Sequence, residues 1–236
     1  PQWGHYLQAD PLGPNQVATR FGYAAQQPRR YVDPLGLMLF AFDGTGNDQS
    51  TLTNVWKFSQ QYQDGPIHYL PGPGRAIGPE HKEDATDVAI AWSAGQRVAI
   101  QWQRLLQALS QLKQSTTRTP IDVVGFSRGA ALARHFVNQV AQHVRAGRFW
   151  YEHPVMGQIT ACVDLRFLGL FDTVAQFHLL GLTDQKYDLG IPSSWRFVSH
   201  AVALHEFRWT FPLTAAVGAQ VNEKAFVGAH ADIGGG

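Results

Sequence analysis

The sequence predicts an α/β protein: an open, mostly parallel sheet flanked by helices, preceded by a short irregular segment. Three observations predict it. Short apolar runs recur, and each breaks off at a polar residue, as in "MLFAFD", "IDVVGFS" and "RFLGLFD". Two longer stretches between and after them carry apolar residues at three- and four-residue spacing. Strand, helix, strand, helix, strand in that order is the pattern of parallel strands joined by helical crossovers.

Each element has its own justification. "MLFAFDGTGND" is an apolar run that opens into a Gly-rich turn after Asp43, which reads as a buried strand. Residues 64–80, "DGPIHYLPGPGRAIGPE", hold too much Gly and Pro for regular structure and read as a loop. Residues 87–114 read as a helix, with Val98, Trp102, Leu105, Leu109 and Leu112 on one stripe. Pro120 marks the return to a strand, "IDVVGF". Residues 128–146 form the next helix, striped by Ala131, Leu132, Phe136, Val137 and Val140. "ACVDLRFLGLF" is a further strand ending at Asp172. Residues 175–195 are apolar but broken by Gly and Pro, as a lid would be. "SWRFVSHAVALHEF" reads as a helix, and "KAFVGAH" as a last strand that delivers His230 into "ADIGGG".

Composition narrows the function classes. The chain has 236 residues, 44% hydrophobic and 16% charged, enough apolar material for a sizeable core. Its net charge is +1 with no Lys/Arg run, which argues against a nucleic-acid partner. No apolar stretch reaches the roughly 20 residues a membrane helix needs. The opening "PQWGHYLQAD" lacks the basic-then-apolar pattern of a signal peptide. The single Cys162 excludes an internal disulfide and a multi-cysteine metal site.

Three residue types capable of acid–base chemistry fall at equivalent places. Ser127 follows "IDVVGF", Asp172 follows "RFLGLF", and His230 follows "KAFVGA". In an open parallel sheet the strand C-termini share one edge, so side chains at their tips converge although distant in sequence. Ser127 also lies in "GFSRG", between a strand and a helix, the setting of a nucleophile elbow; the chain order Ser, Asp, His is that of α/β hydrolases. The chemistry needs these types. A serine hydroxyl is a weak nucleophile until a base takes its proton, a role for His230. Asp172 would fix the histidine tautomer and stabilise the imidazolium. An oxyanion would be met by the backbone N–H of Arg128 and by a second donor from the Gly-rich turn, Gly44 or Thr45. No cofactor is required.

Other assignments compete. GxSxG alone is a common Gly-rich turn. Asp172 could cap a following helix, and His230 could bond to its own Gly-rich loop. His200 and His205 are rival bases, although they sit within the expected helix 194–207. Asp43 could cap its turn or orient the oxyanion loop, and Asp232 could orient the His230 loop or be solvated. A metallohydrolase could use Asp43, Asp172, His230 and Asp232 as hard ligands at strand ends. A silent docking or cargo domain is the non-enzymatic alternative.

"LFAFDGTGND", "VVGFSRGAALAR", "LGLFDTV" and "VGAHADIGGG" resemble the four signature blocks of the α/β-hydrolase family that includes type VI secretion phospholipase effectors. The resemblance spans residues 38–236. It implies Ser127, Asp172 and His230 as catalytic triad, a membrane phospholipid ester as substrate, a secretion spike protein as carrier and a cognate immunity protein in the producer. It also implies a protein cytoplasmic before export and active in the periplasm or at the membrane of a target bacterium. The family's domain usually continues beyond the position of Gly236, so a C-terminal part is expected there.

Residues 1–37 form a separate polar, turn-rich segment with a repeat. "DPLGP" at 10–14 returns as "DPLGL" at 33–37, eighteen residues later, with four residues between Pro28 and the second copy. The pattern resembles the end of an Rhs repeat core, where it marks a self-cleaving junction between a shell and a C-terminal toxin. That resemblance implies cleavage between Leu37 and Met38, with Asp10 and Asp33 as a carboxyl pair. Two carboxyls held together cannot both ionise, so such a pair can activate water and protonate a leaving amine. The expectation is an antibacterial lipase toxin, residues 38–236, released from an Rhs shell.

Overall fold

The computed structural model describes residues 38–77, 87–112, 117–177 and 187–235. The first element, β1 (Met38–Phe42), is buried at all five positions. An apolar run without alternation is what a strand covered on both faces requires. After a turn, α1 (Asn54–Gln61) starts at Thr53, whose hydroxyl accepts from the Trp56 N–H at 3.1 Å as a helix cap does. Then come β2 (Ile67–Leu70), α2 (Asp87–Gln111), β3 (Thr119–Phe126) and α3 (Arg128–Gln142). A hairpin follows, β4 (Val144–Arg145) and β5 (Arg148–His153), and then the long β6 (Gly157–Phe171). The last elements are β7 (Phe197–Ala203), β8 (Val221–Phe226) and α4 (His230–Gly234).

The strands form one mixed α/β sheet with helices against it. Its parallel part runs β2-β1-β3-β6-β7-β8. β6 serves two neighbourhoods: its first half pairs antiparallel with β5, and its second half pairs parallel with β3 and β7. The parallel register puts Phe126 of β3 opposite Phe171 of β6, and Phe171 opposite Ala201 of β7. The residues just beyond those strands therefore emerge together at one edge of the sheet.

The main core lies between the sheet and helices α2 and α3. It joins Phe40 and Phe42 of β1, Leu105 and Leu109 of α2, and Phe136 and Val140 of α3, all essentially buried. A smaller core joins Leu39, Ala41, Val124 and Phe126 with Val55 on α1. Alternate residues of β1 thus face different cores, as strand geometry dictates. Two buried arginines tie loops to this body. Arg134 of α3 donates to the carbonyls of Leu189, Thr214 and Ala215. Burial holds its guanidinium down to about 10.

Several expectations change. Residues 194–207 are not helical: β7 occupies Phe197–Ala203 and pairs with β6 and β8. The reason is the two-residue alternation of burial, with Val198, His200 and Val202 inside. The loop expected at 64–80 contains β2, which forms the outer parallel strand beside β1. The hairpin β4–β5 has no counterpart in the sequence reading. α2 and α3 end a few residues earlier than expected, and β8 begins before Lys224 and ends at Phe226, short of His230. Asp10, Asp33 and Leu37 lie outside the described residues. So does part of the expected lid at 175–195. Met38, the residue after the expected cleavage point, is buried in β1.

Candidate active site

The turn after β3 is built by close approach. A Cβ on Gly125 would lie 2.7 Å from the Ala130 Cα, and one on Gly129 would lie 2.2 Å from the Asp43 carbonyl oxygen. Both glycines of "GFSRG" are therefore required for α3 to start this close to β1 and β3. Ser127 between them has φ 58° and ψ −127°. That left-handed backbone costs a non-glycine residue about 1–3 kcal/mol and persists only where the surroundings enforce it. They do so here by backbone bonds. The Ser127 N–H donates to the Phe171 carbonyl at 3.0 Å, and the Ser127 carbonyl accepts from the N–H groups of Ala130, Ala131 and Val174.

Asp172 leaves β6 with φ 40°, also left-handed. Its N–H donates to the Ala201 carbonyl, and its Oδ1 accepts from the Ala203 N–H at 2.9 Å. Oδ2 lies 2.6 Å from Nδ1 of His230. Asp172 therefore does not serve as a helix cap. Nε2 of the same imidazole lies 2.8 Å from the Ser127 Oγ. All three side chains are buried. The structure thus brings together Ser127, Asp172 and His230, the three residues singled out at strand tips. With Nδ1 donating to the carboxylate, Nε2 is an acceptor aimed at the serine hydroxyl, the arrangement needed to withdraw its proton.

Two rings contact the imidazole: Phe126 at 4.7 Å and Phe211 at 4.9 Å between centroids. The backbone N–H of His230, at the start of α4, donates to Glu206 Oε2 at 3.2 Å. Sequence reasoning missed both Phe211 and Glu206. Phe211 comes from a loop with no strand or helix signature, and Glu206 fell inside the stretch read as a helix, so no pattern marked either contact.

The Gly-rich turn after β1 sits against the start of α3. A Cβ on Gly44 would lie 2.7 Å from the Phe126 ring. The two turn residues expected near the oxyanion differ sharply. The Gly44 N–H is already engaged, donating to Asp43 Oδ1 at 2.8 Å. The Thr45 hydroxyl is buried and has no hydrogen-bond partner. Arg128 opens α3, so its amide lies in the first turn of the helix, next to Ser127.

Asp43 accepts three donors: the Gly44 N–H, the Thr53 hydroxyl at 2.8 Å and the Tyr69 hydroxyl at 2.7 Å. It is thus a brace joining β1, β2 and α1. Burial pushes its carboxyl above the ordinary range, against those three donors. The turn is braced again from Gly72 and Pro73, through Gly72 N–H to Asn47 and Gly46 N–H to Pro73. Arg97, buried on α2, in turn donates to the carbonyls of Pro71, Gly72 and Arg75.

The rival bases and ligands are placed elsewhere. His200 is buried on β7; its Nε2 accepts from the Thr173 N–H at 3.1 Å, so its Nδ1 donates to Glu223. His205 is exposed on the loop after β7. Asp232 accepts from the Ala229 N–H at 2.7 Å. Asp172 and His230 pair with each other, while Asp43 and Asp232 are engaged elsewhere, so the four do not form one ligand group. Among the described residues no three His, Cys, Asp or Glu side chains are grouped to hold a metal ion.

Large apolar side chains crowd the surface beside this site. Phe207 is 85% exposed, Trp209 73% and Val227 79%. The first two lie on the loop that supplies Glu206 and Phe211. Val227 lies on the segment that leads to His230.

Comparison with known proteins adds two findings. Residues 151–236 match the family described as type VI secretion system phospholipase effector Tle1-like, catalytic domain. That stretch contains Asp172 and His230 but ends short of Ser127 on the N-terminal side. Among solved structures, the chain resembles a Tle1 effector bound to the VgrG spike of the type 6 secretion system, with 24% identity and a TM-score of 0.57. The match covers 85% of this chain and 51% of that one. It also resembles an uncharacterized protein from Pseudomonas aeruginosa, with 20% identity, a TM-score of 0.54, and 84% and 41% coverage. This chain therefore spans about half the length of these relatives or less, and the likeness establishes a shared fold. No curated protein sequence matches the chain.

Proposed function

We propose that this chain is the catalytic part of a phospholipase toxin, a serine ester hydrolase of the α/β-hydrolase fold. The observation that carries the proposal is the hydrogen-bonded chain from Asp172 through His230 to Ser127. In the reaction the Ser127 Oγ attacks the acyl carbonyl carbon while His230 Nε2 takes the hydroxyl proton. Asp172 holds Nδ1–H and stabilises the imidazolium. The oxyanion is met by the Arg128 N–H and by the Thr45 hydroxyl, whose lack of any partner suits a donor waiting for charge. Collapse expels the alcohol, which takes the proton from His230. Water, activated by the same base, then releases the fatty acid from Ser127.

Two features favour a lipid ester over a soluble one. The C-terminal part matches a phospholipase effector family. The site also lies beside exposed Phe207, Trp209 and Val227, which suit contact with a bilayer better than with water. By the same likeness, delivery would be through type VI secretion on a spike protein, with an immunity protein guarding the producer. The paired "DPLG" motifs of the sequence support release from an Rhs shell by cleavage after Leu37.

The test is incubation of purified protein with mixed phospholipid vesicles, followed by lipid mass spectrometry. Fatty acid and lysophospholipid should appear with wild type and not with Ser127→Ala. A serine-reactive fluorophosphonate should block the reaction, and chelators should leave it intact. The opposite pair of sensitivities would replace the serine mechanism with a metal-dependent one.

A further inference from the structure

We propose that Glu206 is a positioning residue for His230, acting with Arg208 and Phe211 from the loop after β7; the proposal builds on the Ser–His–Asp mechanism above. His230 opens a helix of only five residues. The residue before it, Ala229, has no side-chain acceptor to cap that helix, so the His230 N–H needs one from elsewhere. Glu206 Oε2 supplies it across the loop. Glu206 is half-buried, with its side chain 6% exposed, so its carboxylate is shielded beside the histidine that must move a proton.

The carboxylate is also fully engaged with Arg208. Oε1 accepts from the Arg208 backbone N–H and Nε, both at 2.8 Å, and Oε2 from Nη2 at 2.6 Å. That fork holds Glu206 ionised, with its carboxyl down at about 2. It also fixes the guanidinium over the Phe211 ring at 4.0 Å. Phe211 in turn lies against the imidazole. The histidine is thus gripped twice from one loop, at its backbone by Glu206 and at its ring by Phe211. A serine–histidine contact displaced by an ångström can cost about a hundredfold in rate, so such a grip has a kinetic consequence.

The charges around His230 make the role separable from simple stability. Asp172 faces Nδ1; Glu206 and Arg208 lie on the loop; Arg128 approaches Phe211 from α3; Asp232 is on the histidine's own helix. Removing Glu206 takes away a negative charge and leaves Arg208 unopposed, which disfavours the imidazolium. Removing Arg208 leaves Glu206 unopposed, which favours it. The two substitutions therefore move the histidine's titration in opposite directions.

The experiment measures kcat, KM and the pH profile on a soluble short-chain ester for wild type, Glu206→Ala, Glu206→Gln and Arg208→Ala. Glu206→Ala should lower kcat about ten- to a hundredfold with KM nearly unchanged. Glu206→Gln keeps an oxygen for the His230 N–H and should recover part of that loss. The acid limb of kcat/KM should move a few tenths of a pH unit downward in Glu206→Ala and upward in Arg208→Ala. NMR titration of the His230 ring in the Ser127→Ala protein reads the same two signs without catalysis, so it stands even if the proposed esterase activity is not found. Shifts of the same sign, or an unmoved His230 titration in folded variants, would overturn the positioning role.

Discussion

Ser127 and Asp172 leave neighbouring parallel strands with the same backbone anomaly, φ 58° and φ 40°. Ser127 is also tied to the strand that carries Asp172, because its N–H donates to the Phe171 carbonyl, and Asp172 is tied in turn to β7 through the Ala201 carbonyl. The strain at the two tips is thus held by one hydrogen-bonded frame. Turning both residues out of the sheet lets His230, which follows β8 and opens α4, bridge them.

The first prediction follows from that bridge. Ser127→Ala should leave the fold intact and lower ester hydrolysis by several orders of magnitude, with His230→Ala falling to a similar floor, since the three act as a unit. Asp172→Asn should fall as well, because the carboxamide no longer favours Nδ1–H on the imidazole. Circular dichroism and steady-state kinetics check this. A tenth of wild-type activity in Ser127→Ala would remove it as nucleophile.

How far the site was legible depends on what each residue interrupts. Ser127 and Asp172 stand directly after apolar strands, and His230 follows β8 by four residues, so their places in the strand pattern marked them. β7 was hidden because its pattern is inverted. Its inward alternation includes the polar His200, while Phe197 at its start is 58% exposed. Gly44 was a reasonable oxyanion donor from spacing alone, but the adjacent Asp43 side chain takes its N–H. Glu206 reaches His230 across 24 residues of sequence, and no local pattern announces such a contact.

Thr45 gives the second prediction. Thr45→Val keeps the shape and removes the hydroxyl, which has no partner to lose in the resting protein. Stability should therefore change little. The acylation rate should fall about 10²–10³-fold, the usual consequence of losing one oxyanion donor, about 2.7–4 kcal/mol. Pre-steady-state burst kinetics distinguish this from a binding defect. An unchanged burst rate would assign the second donor to a backbone amide.

The exposed aromatic residues give the third. Phe207→Ser with Trp209→Ser should weaken binding to anionic phospholipid vesicles and lower vesicle hydrolysis at least tenfold. Hydrolysis of a soluble short-chain ester should stay within about twofold, as both side chains project largely into solvent. Vesicle co-flotation and the two assays side by side report this. Equal losses on both substrates would mean the loop supports the site rather than meets the lipid.

The fourth prediction concerns acid stability. His68 on β2 stacks on Phe40 at 4.9 Å, and its Nε2 is buried without a partner. Burial holds its imidazole down to about 4, against 6.5 in an unfolded chain. The unfolded state therefore takes up the proton first as pH falls. The stability His68 contributes is fully present above pH 6.5 and is lost as pH drops toward 4. Burial lowers the titration of His200 as well, with the same sign. Tm should fall by several degrees across this window, and His68→Phe should flatten the slope. An identical pH dependence in His68→Phe would show that His68 is not its source.

The fifth prediction concerns the repeated "DPLG" motif, which precedes a strand whose first residue, Met38, is buried in the sheet. If an Rhs shell precedes this chain, the bond between Leu37 and Met38 should be cut in the full-length protein. A carboxyl pair would carry out that cut, Asp33 and Asp10 sharing one proton between them. Asp33→Asn should abolish cleavage, since a carboxamide neither activates water nor delivers a proton to the leaving amine, and Asp10→Asn should do the same. A fragment starting at Met38 keeps β1 whole, with Leu39 and Phe40 in their pairing with β2 and β3. It should therefore hydrolyse esters whether or not either aspartate was changed in its precursor. Intact-mass spectrometry of the mature fragment locates the cut to one residue. A fragment beginning inside β1 would have to strip a buried strand residue from the sheet, and finding one would refute cleavage at this junction.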